Sequence, residues 1–397
     1  MTINPETVKP NHQIPFLDGI RGLLAIWVLC SHVINLGGGP DIFLRKGGIA
    51  VDLFMFVSGV LMVTTYSRVQ DPSSCLYRKN IISFWIKRFF RIAPAYFFLL
   101  IPGMLYDAQL NGMLLSVKAE FGRVGTIVPE VWASYRGFSF ENLLVHLTFL
   151  FGLIPRYASS DILPDWSLSL EMQFYFVFPF LLYALRRFGA LWVGLPLMLV
   201  YILFVLNVAV FTPRYGAWIF YPQPTLLPVK IACFFLGMLA AEACMPWTSA
   251  RTRRVIVLVF FAGVFVFQRP TFSMAAIAML AMLMSHYQLL GWKYISVVNK
   301  FFGSAPLKFL GDISYGVYLI HLLVLLPVFY WVVKSGIAIP SSTWIRFSLG
   351  LFVVAIPAIF LAWMLHNLIE LPGVSLGKNL SNRYKRSMEI KSIELKV

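Results

Sequence analysis

The chain alternates long apolar runs with short polar breaks. Ten of these runs come near the ~20 residues that a helix needs to cross a bilayer. They fall at about 16–36, 47–67, 90–107, 166–185, 189–211, 227–245, 254–269, 271–291, 309–333 and 344–368. Pro and Gly clusters mark several breaks, at Gly37–Pro40, Pro213–Pro228, Arg269–Pro270 and Gly336–Pro340. The pattern predicts an all-α polytopic membrane protein of about ten transmembrane helices. One break is unlike the others. Residues 108–165 form a long loop with an apolar piece at 142–154, too short to span. A re-entrant or interfacial helix is expected there, covering something. No internal repeat or low-complexity tract interrupts the pattern. The expected organisation is a polar tail at 1–15, a membrane domain at 16–370 and a basic tail at 371–397.

Composition agrees. The chain is 59% hydrophobic and only 13% charged, against about 25% charged in soluble domains. The first run continues into a second with no small-residue cleavage site, so it reads as a retained helix. The net charge of +16 raises the question of nucleic acid. The distribution of Lys and Arg answers it differently. With the N-terminus inside, they divide roughly two to one in favour of the cytoplasmic loops and tails. Both termini are then cytoplasmic, and the partner of the positive charge is the bilayer, not nucleic acid. Cys30, Cys75, Cys233 and Cys244 show no metal-binding spacing. No metal is expected.

Ionisable side chains inside spans are costly, about 2.5–3.5 kcal/mol each on insertion scales. Those present therefore ask for a reason. Arg21 lies near the inner end of the first span and His32 near its outer end. Eleven positions separate them, about 16 Å along the axis and about 20° beyond three full turns. Both face the same way. Asp52, in GGIAVDLFMFVSG, lies about as far inside the second span as His32 does inside the first. Ser167, Glu171 and Tyr175 form an i, i+4, i+8 stripe on the span starting DWSLSLEMQFYFVFP. The expectation is that His32, Asp52 and Glu171 share one depth as an active-site layer. Arg88 and Arg91, in KRFFRIAPAY, share one face at the inner side. With Arg21 they would make an anion pocket suited to phosphate. Ser314, Tyr318 and His321 share a face in GDISYGVYLIH, lining either core or tunnel. Lys230 lies in the outer third of its span, and Glu370 reads as an anchor at the inner end of the last.

Taken together, these motifs resemble the acyltransferase-3 family of integral-membrane O-acyltransferases. FLDGIRGLLAIWVLCSH is similar to the family's first helix, with its R-x10-H pattern at Arg21 and His32. VDLFMFVSGVLM is similar to GVDLFFVLSGFLI, with Ala50 where Gly is usual. KRFFRIAPAY matches the RxxR element at Arg88 and Arg91. DWSLSLEMQFYFVFP is similar to WSLSVEEQFYLLFP, with Glu171 at the first acid and Met172 in place of the second. GDISYGVYLIH and IELP are similar to the late Tyr/His helix and the closing acid-proline. The likeness covers nearly the whole chain. Many relatives carry an added hydrolase-like extracellular domain. This chain ends after its tenth span, so none is expected.

The resemblance implies transfer of an acetyl or other acyl group from cytoplasmic acyl-CoA to a hydroxyl of a carbohydrate acceptor, such as a surface polysaccharide or lipopolysaccharide. It implies acetyl-CoA as donor, held by Arg21, Arg88 and Arg91, in the plasma membrane of a bacterium. His32 is the expected general base. Asp52 or Glu171 would orient it, with Glu171 preferred as base or substrate partner and Asp52 as support for the hairpin. An acyl-histidine intermediate is an open alternative. Ser167, Tyr175, Lys230, Tyr318 and His321 are expected along the substrate path. Two rival readings stay open. One is a transporter or flippase of a lipid-linked glycan or small anion. The other is an acyltransferase of another membrane family, with His321 as the catalytic residue.

Overall fold

The structure is a computed structural model that describes residues 14–66, 72–121, 137–210, 219–221, 223–267 and 269–394. The predicted N-terminal tail up to residue 13 lies outside these residues, as do Arg68 and the last positions of the runs 47–67 and 189–211. In chain order the helices are α1 (Pro15–Leu36), α2 (Gly47–Thr65), α3 (Arg78–Leu105), α4 (Asp107–Glu120), α5 (Phe140–Leu147), α6 (Trp166–Phe188), α7 (Ala190–Asn207) and α8 (Leu227–Cys244). They continue as α9 (Ala250–Phe267), α10 (Pro270–His286), α11 (Lys293–Phe302), α12 (Ala305–Asp312), α13 (Ser314–Lys334), α14 (Thr343–Leu365) and α15 (Leu371–Glu394). Among the described residues, α1, α2, α3, α6, α8, α13 and the α14–α15 rod are long and apolar enough to cross a membrane. The helices α7 and α10 are shorter apolar elements. The helix α9 has Arg251, Arg253 and Arg254 in its first turn. These ten elements answer to the ten apolar runs, and the protein is an integral membrane protein.

The bundle is built around α8, which is buried along nearly its whole length. Its backbone meets that of α2 at two glycines. A Cβ on Gly59 would collide with Phe234 O, and one on Gly237 with Phe56 O. Lipid is as apolar as leucine, so close packing, not hydrophobic exclusion, draws such helices together. Small residues at the crossing are what allow it.

Four details differ from the sequence reading. The third span starts at Arg78, well before 90, so Arg88 and Arg91 lie within the helix and not at its entrance. The run 309–333 is divided at Ile313 into α12 and α13. Gly311 presses against the backbone of Asp18 there, so α12 must leave the axis of α13 to cross α1. The basic segment after 370 is not a loose tail. A π-helical turn at His366–Glu370 leads straight from α14 into α15. That helix lies on α3, with Ser381 Oγ and Ser83 Oγ 2.6 Å apart and both buried. Finally, α7 gives way to strand β1 (Val208–Val210), which pairs in parallel with β2 (Ile219–Tyr221). The apolar piece expected at 142–154 is the short helix α5 followed by a 3-10 turn at Leu150–Leu153.

Gly237→Leu should force α2 and α8 apart. An overpacked core costs about 1–3 kcal/mol, so the detergent-solubilised variant should melt earlier than the parent. An unchanged melting curve would contradict the close crossing.

Candidate functional site

The depth of each polar group follows from how α1 and α2 are joined. The hairpin folds back along α1 before α2 begins. Ser31 Oγ donates to Arg45 O at 2.7 Å and accepts from Gly47 N–H at 3.1 Å. Trp27 Nε1 donates to Leu44 O at 3.0 Å. The first residue of α2 is therefore level with Ser31, not with the end of α1. Asp52, five residues on, lies about 7 Å deeper than Ser31 and about 9 Å deeper than His32. The expected layer of His32, Asp52 and Glu171 does not form. The three residues occupy three separate environments.

Asp52 is fully buried and faces α8. It pairs with Lys230 Nζ and, at 2.7 Å, with Arg269 Nη1. Neither contact involves His32. Lys230, expected on the substrate path, is thus the counter-ion of a buried carboxylate. Arg269, taken from the sequence as a loop residue, completes this triad.

Glu171 lies lower, in a cavity between α1, α2, α3, α6 and α13. Its Oε1 accepts from Ser58 Oγ at 3.2 Å and its Oε2 from Tyr175 O–H at 3.3 Å. Ser58 lies eleven residues below Gly47, which matches the fall from His32 to Arg21 along α1. Arg21, Arg88 and Arg91 line the same cavity. Arg91 Nη1 is 2.8 Å from the buried Glu370, which His366 Nδ1 also contacts at 2.9 Å. Arg88 reaches Thr65 Oγ1 at 3.5 Å and lies over the rings of Phe84 and Tyr175. Three guanidinium groups line the cavity with one half-buried carboxylate, Glu171, while Glu370 pairs with Arg91 beside it, so the cavity has a surplus of positive charge. Its volume is about 100 Å³, room for several waters.

The cavity ends at Tyr318, whose hydroxyl lies 2.9 Å from Ser167 Oγ. One turn further along α13 is His321, fully buried. Its Nε2 lies 3.1 Å from His32 Nδ1. The two histidines that the sequence offered as rivals are neighbours. Their hydrogen bonds assign the protons. His321 Nδ1 lies 2.7 Å from Tyr318 O and 3.2 Å from Val317 O. A carbonyl only accepts, so Nδ1 carries the hydrogen and Nε2 is the acceptor. His32 Nδ1–H donates to it and to Val28 O at 3.0 Å. His32 Nε2 is left with a free lone pair, on a ring that is half-buried. Histidine supports its own tautomer here by using a second histidine where a carboxylate was expected.

A family model described as an acyltransferase domain matches residues 14–364. This chain belongs to the acyltransferase-3 family. The match takes in every residue that lines the cavity. The chain is 26% identical over 337 residues to peptidoglycan O-acetyltransferase OatA of Listeria monocytogenes, covering 78% of this chain and 49% of that one. A putative O-acetyltransferase of Staphylococcus aureus is 25% identical over 178 residues, 45% of this chain and 26% of its own. An O-acetyltransferase OatA of Staphylococcus aureus is 24% identical over 189 residues, 46% and 27%. The chain spans about half or less of the length of these curated relatives. No solved structure matches it. In this member of the family, the Arg21–His32 pair of α1 lies at the two ends of one polar column.

Lys230→Met should strip Asp52 of its closest cation. Breaking one side of a buried pair costs about 3–5 kcal/mol, so the variant should lose most of its thermal stability. Asp52→Asn with Lys230→Met should regain a large part of it. Equal melting temperatures for the single and double variants would argue against the pairing.

Proposed function

We propose that the protein is a membrane O-acetyltransferase, moving an acetyl group from acetyl-CoA to a hydroxyl of a cell-envelope carbohydrate. The contact between His32 and His321, one turn above the arginine-lined cavity, carries this reading. The CoA phosphates bind at the basic end, where Arg21, Arg88 and Arg91 offer charge-assisted donors. The pantetheine arm enters between Glu171 and Tyr318 and presents the thioester toward His32. The basic end faces the cytoplasm, by the excess of Lys and Arg on that side. The acceptor arrives from the opposite side, at the half-buried ring of His32.

The acceptor oxygen attacks the thioester carbonyl while His32 Nε2 takes its proton. The C–S bond then breaks and the coenzyme leaves as thiolate, which takes the proton from imidazolium. His321 stabilises that imidazolium by accepting from His32 Nδ1–H. It is a positioning residue in this scheme, and Asp52 has no part in it. Peptidoglycan is the acceptor in the name of one relative, and polysaccharides and lipopolysaccharide offer the same secondary hydroxyl chemistry.

Transfer of labelled acetyl from acetyl-CoA tests the scheme. His32→Ala should lower kcat by about 10²–10⁴-fold, the range of a general base, while donor binding is kept. His321→Ala should lower kcat less and shift the pH profile, because the imidazolium loses its acceptor. Arg21→Ala should raise KM for acetyl-CoA with a smaller effect on kcat. Undiminished transfer by His32→Ala would end the proposal. A trapped acyl-enzyme formed with donor alone would replace direct transfer by a covalent route. A census of acetyl esters on envelope glycans, with and without the gene, would identify the acceptor.

A further inference from the structure

We propose that His146, Asp161 and Asp165 bind a divalent transition-metal ion of the zinc class, which fastens the long loop to the membrane bundle. The sequence reading singled out none of these residues and expected no metal. His146 is on α5, in the loop, while Asp161 and Asp165 precede and start α6. One ligand atom from each lies within 4.8 Å of the others. All three side chains are buried, His146 completely.

The hydrogen bonds around the cluster require something positive at its centre. His146 Nδ1 lies 2.8 Å from Asn142 O, so Nδ1 carries the hydrogen and Nε2 a bare lone pair. Nε2 makes no hydrogen bond among the described residues. It faces Asp165 Oδ2 at 3.5 Å. That oxygen already accepts from Tyr96 O–H at 2.7 Å. Two acceptors thus point at each other in a buried site. A proton on Asp165 Oδ2, donated to His146 Nε2, is the rival occupant.

A metal fits the wider arrangement better than a proton. Ligands bound to zinc at about 2.0–2.2 Å lie roughly 3.3–3.5 Å from each other in a tetrahedron. The separation of His146 and Asp165 is of that size. Mixed nitrogen and oxygen donors suit zinc and its neighbours. Metal-binding histidines donate their other N–H to a carbonyl or carboxylate, and binding carboxylates are themselves hydrogen-bonded. Asn142 O and Tyr96 O–H fill those two roles. The loop is also held rigidly around the ligands. Ser160 Oγ donates to Asn142 Oδ1 at 2.7 Å, and the His146 ring stacks on Phe151 with centroids 4.3 Å apart.

Asp165 is two residues before Ser167, so the ion would fix the start of the helix that carries Ser167 and Glu171. The test uses the full chain, purified in detergent without chelator. Elemental analysis after loading with Zn²⁺ and desalting should find about one ion per chain, as for a single closed site. His146→Ala and Asp165→Asn should each lower that content at least tenfold. Titration of the unaltered protein with Co²⁺ should give visible absorption bands that Zn²⁺ abolishes. This second measurement does not depend on whether a variant folds. No Co²⁺ bands, or equal zinc in the parent and His146→Ala, would overturn the metal site and leave a shared proton in its place.

Discussion

The helix α8 runs through the middle of the bundle with a cation near one end and an anion near the other. Lys230 pairs with Asp52 of α2, and Glu242 accepts two hydrogen bonds from Arg186 of α6, at 3.0 and 2.9 Å. Each of these four side chains is almost entirely buried. An ion left alone there would cost several kcal/mol. The two pairs therefore fix both the partners of α8 and its height. Apolar packing alone does neither, because leucine against leucine looks much like leucine against lipid. Once α8 is set, α2 is held by its glycine crossing and α6 by its arginine. The remaining helices pack around that frame.

The polar column follows from this frame. With α2 fixed low against α8, Ser58 comes level with Arg21, and Glu171 of α6 bonds Ser58 and lines the same cavity as Arg21. The helix α13 is then free to bring Tyr318 and His321 above that level. Polar groups are stacked from the arginines to the histidines, several bonded to a neighbour on a different helix: Glu171 to Ser58, Ser167 to Tyr318 and His32 to His321.

The long loop is tied down just before α6. Its helix α5 and the segment before α6 are joined by hydrogen bonds around Asn142 and Ser160. Loops usually carry specificity on a rigid scaffold. Here the described part of the loop is itself held by a short buried cluster two residues before Ser167.

The sequence alone determined the class of the fold. Runs of about twenty apolar residues leave few options in a bilayer, and most of them were read close to their observed limits, the third span and the run 309–333 excepted. It also determined which residues were unusual, since a charge in an apolar run is visible without coordinates. The shared face of Arg21 and His32 followed from helical geometry within one element, and Arg21, Arg88 and Arg91 did come together at one end. Depth between elements was not legible. It rests on the hydrogen bonds of Ser31, which start α2 a turn and a half below the end of α1, and no periodicity reports such an offset. For that reason Asp52 met Lys230 and Arg269, Glu171 met Ser58, and His32 met His321. His146, Asp161 and Asp165 stood out in no pattern, because they lie in a loop where polar residues are ordinary. Only the tertiary structure, by burying them against one another, made them a site.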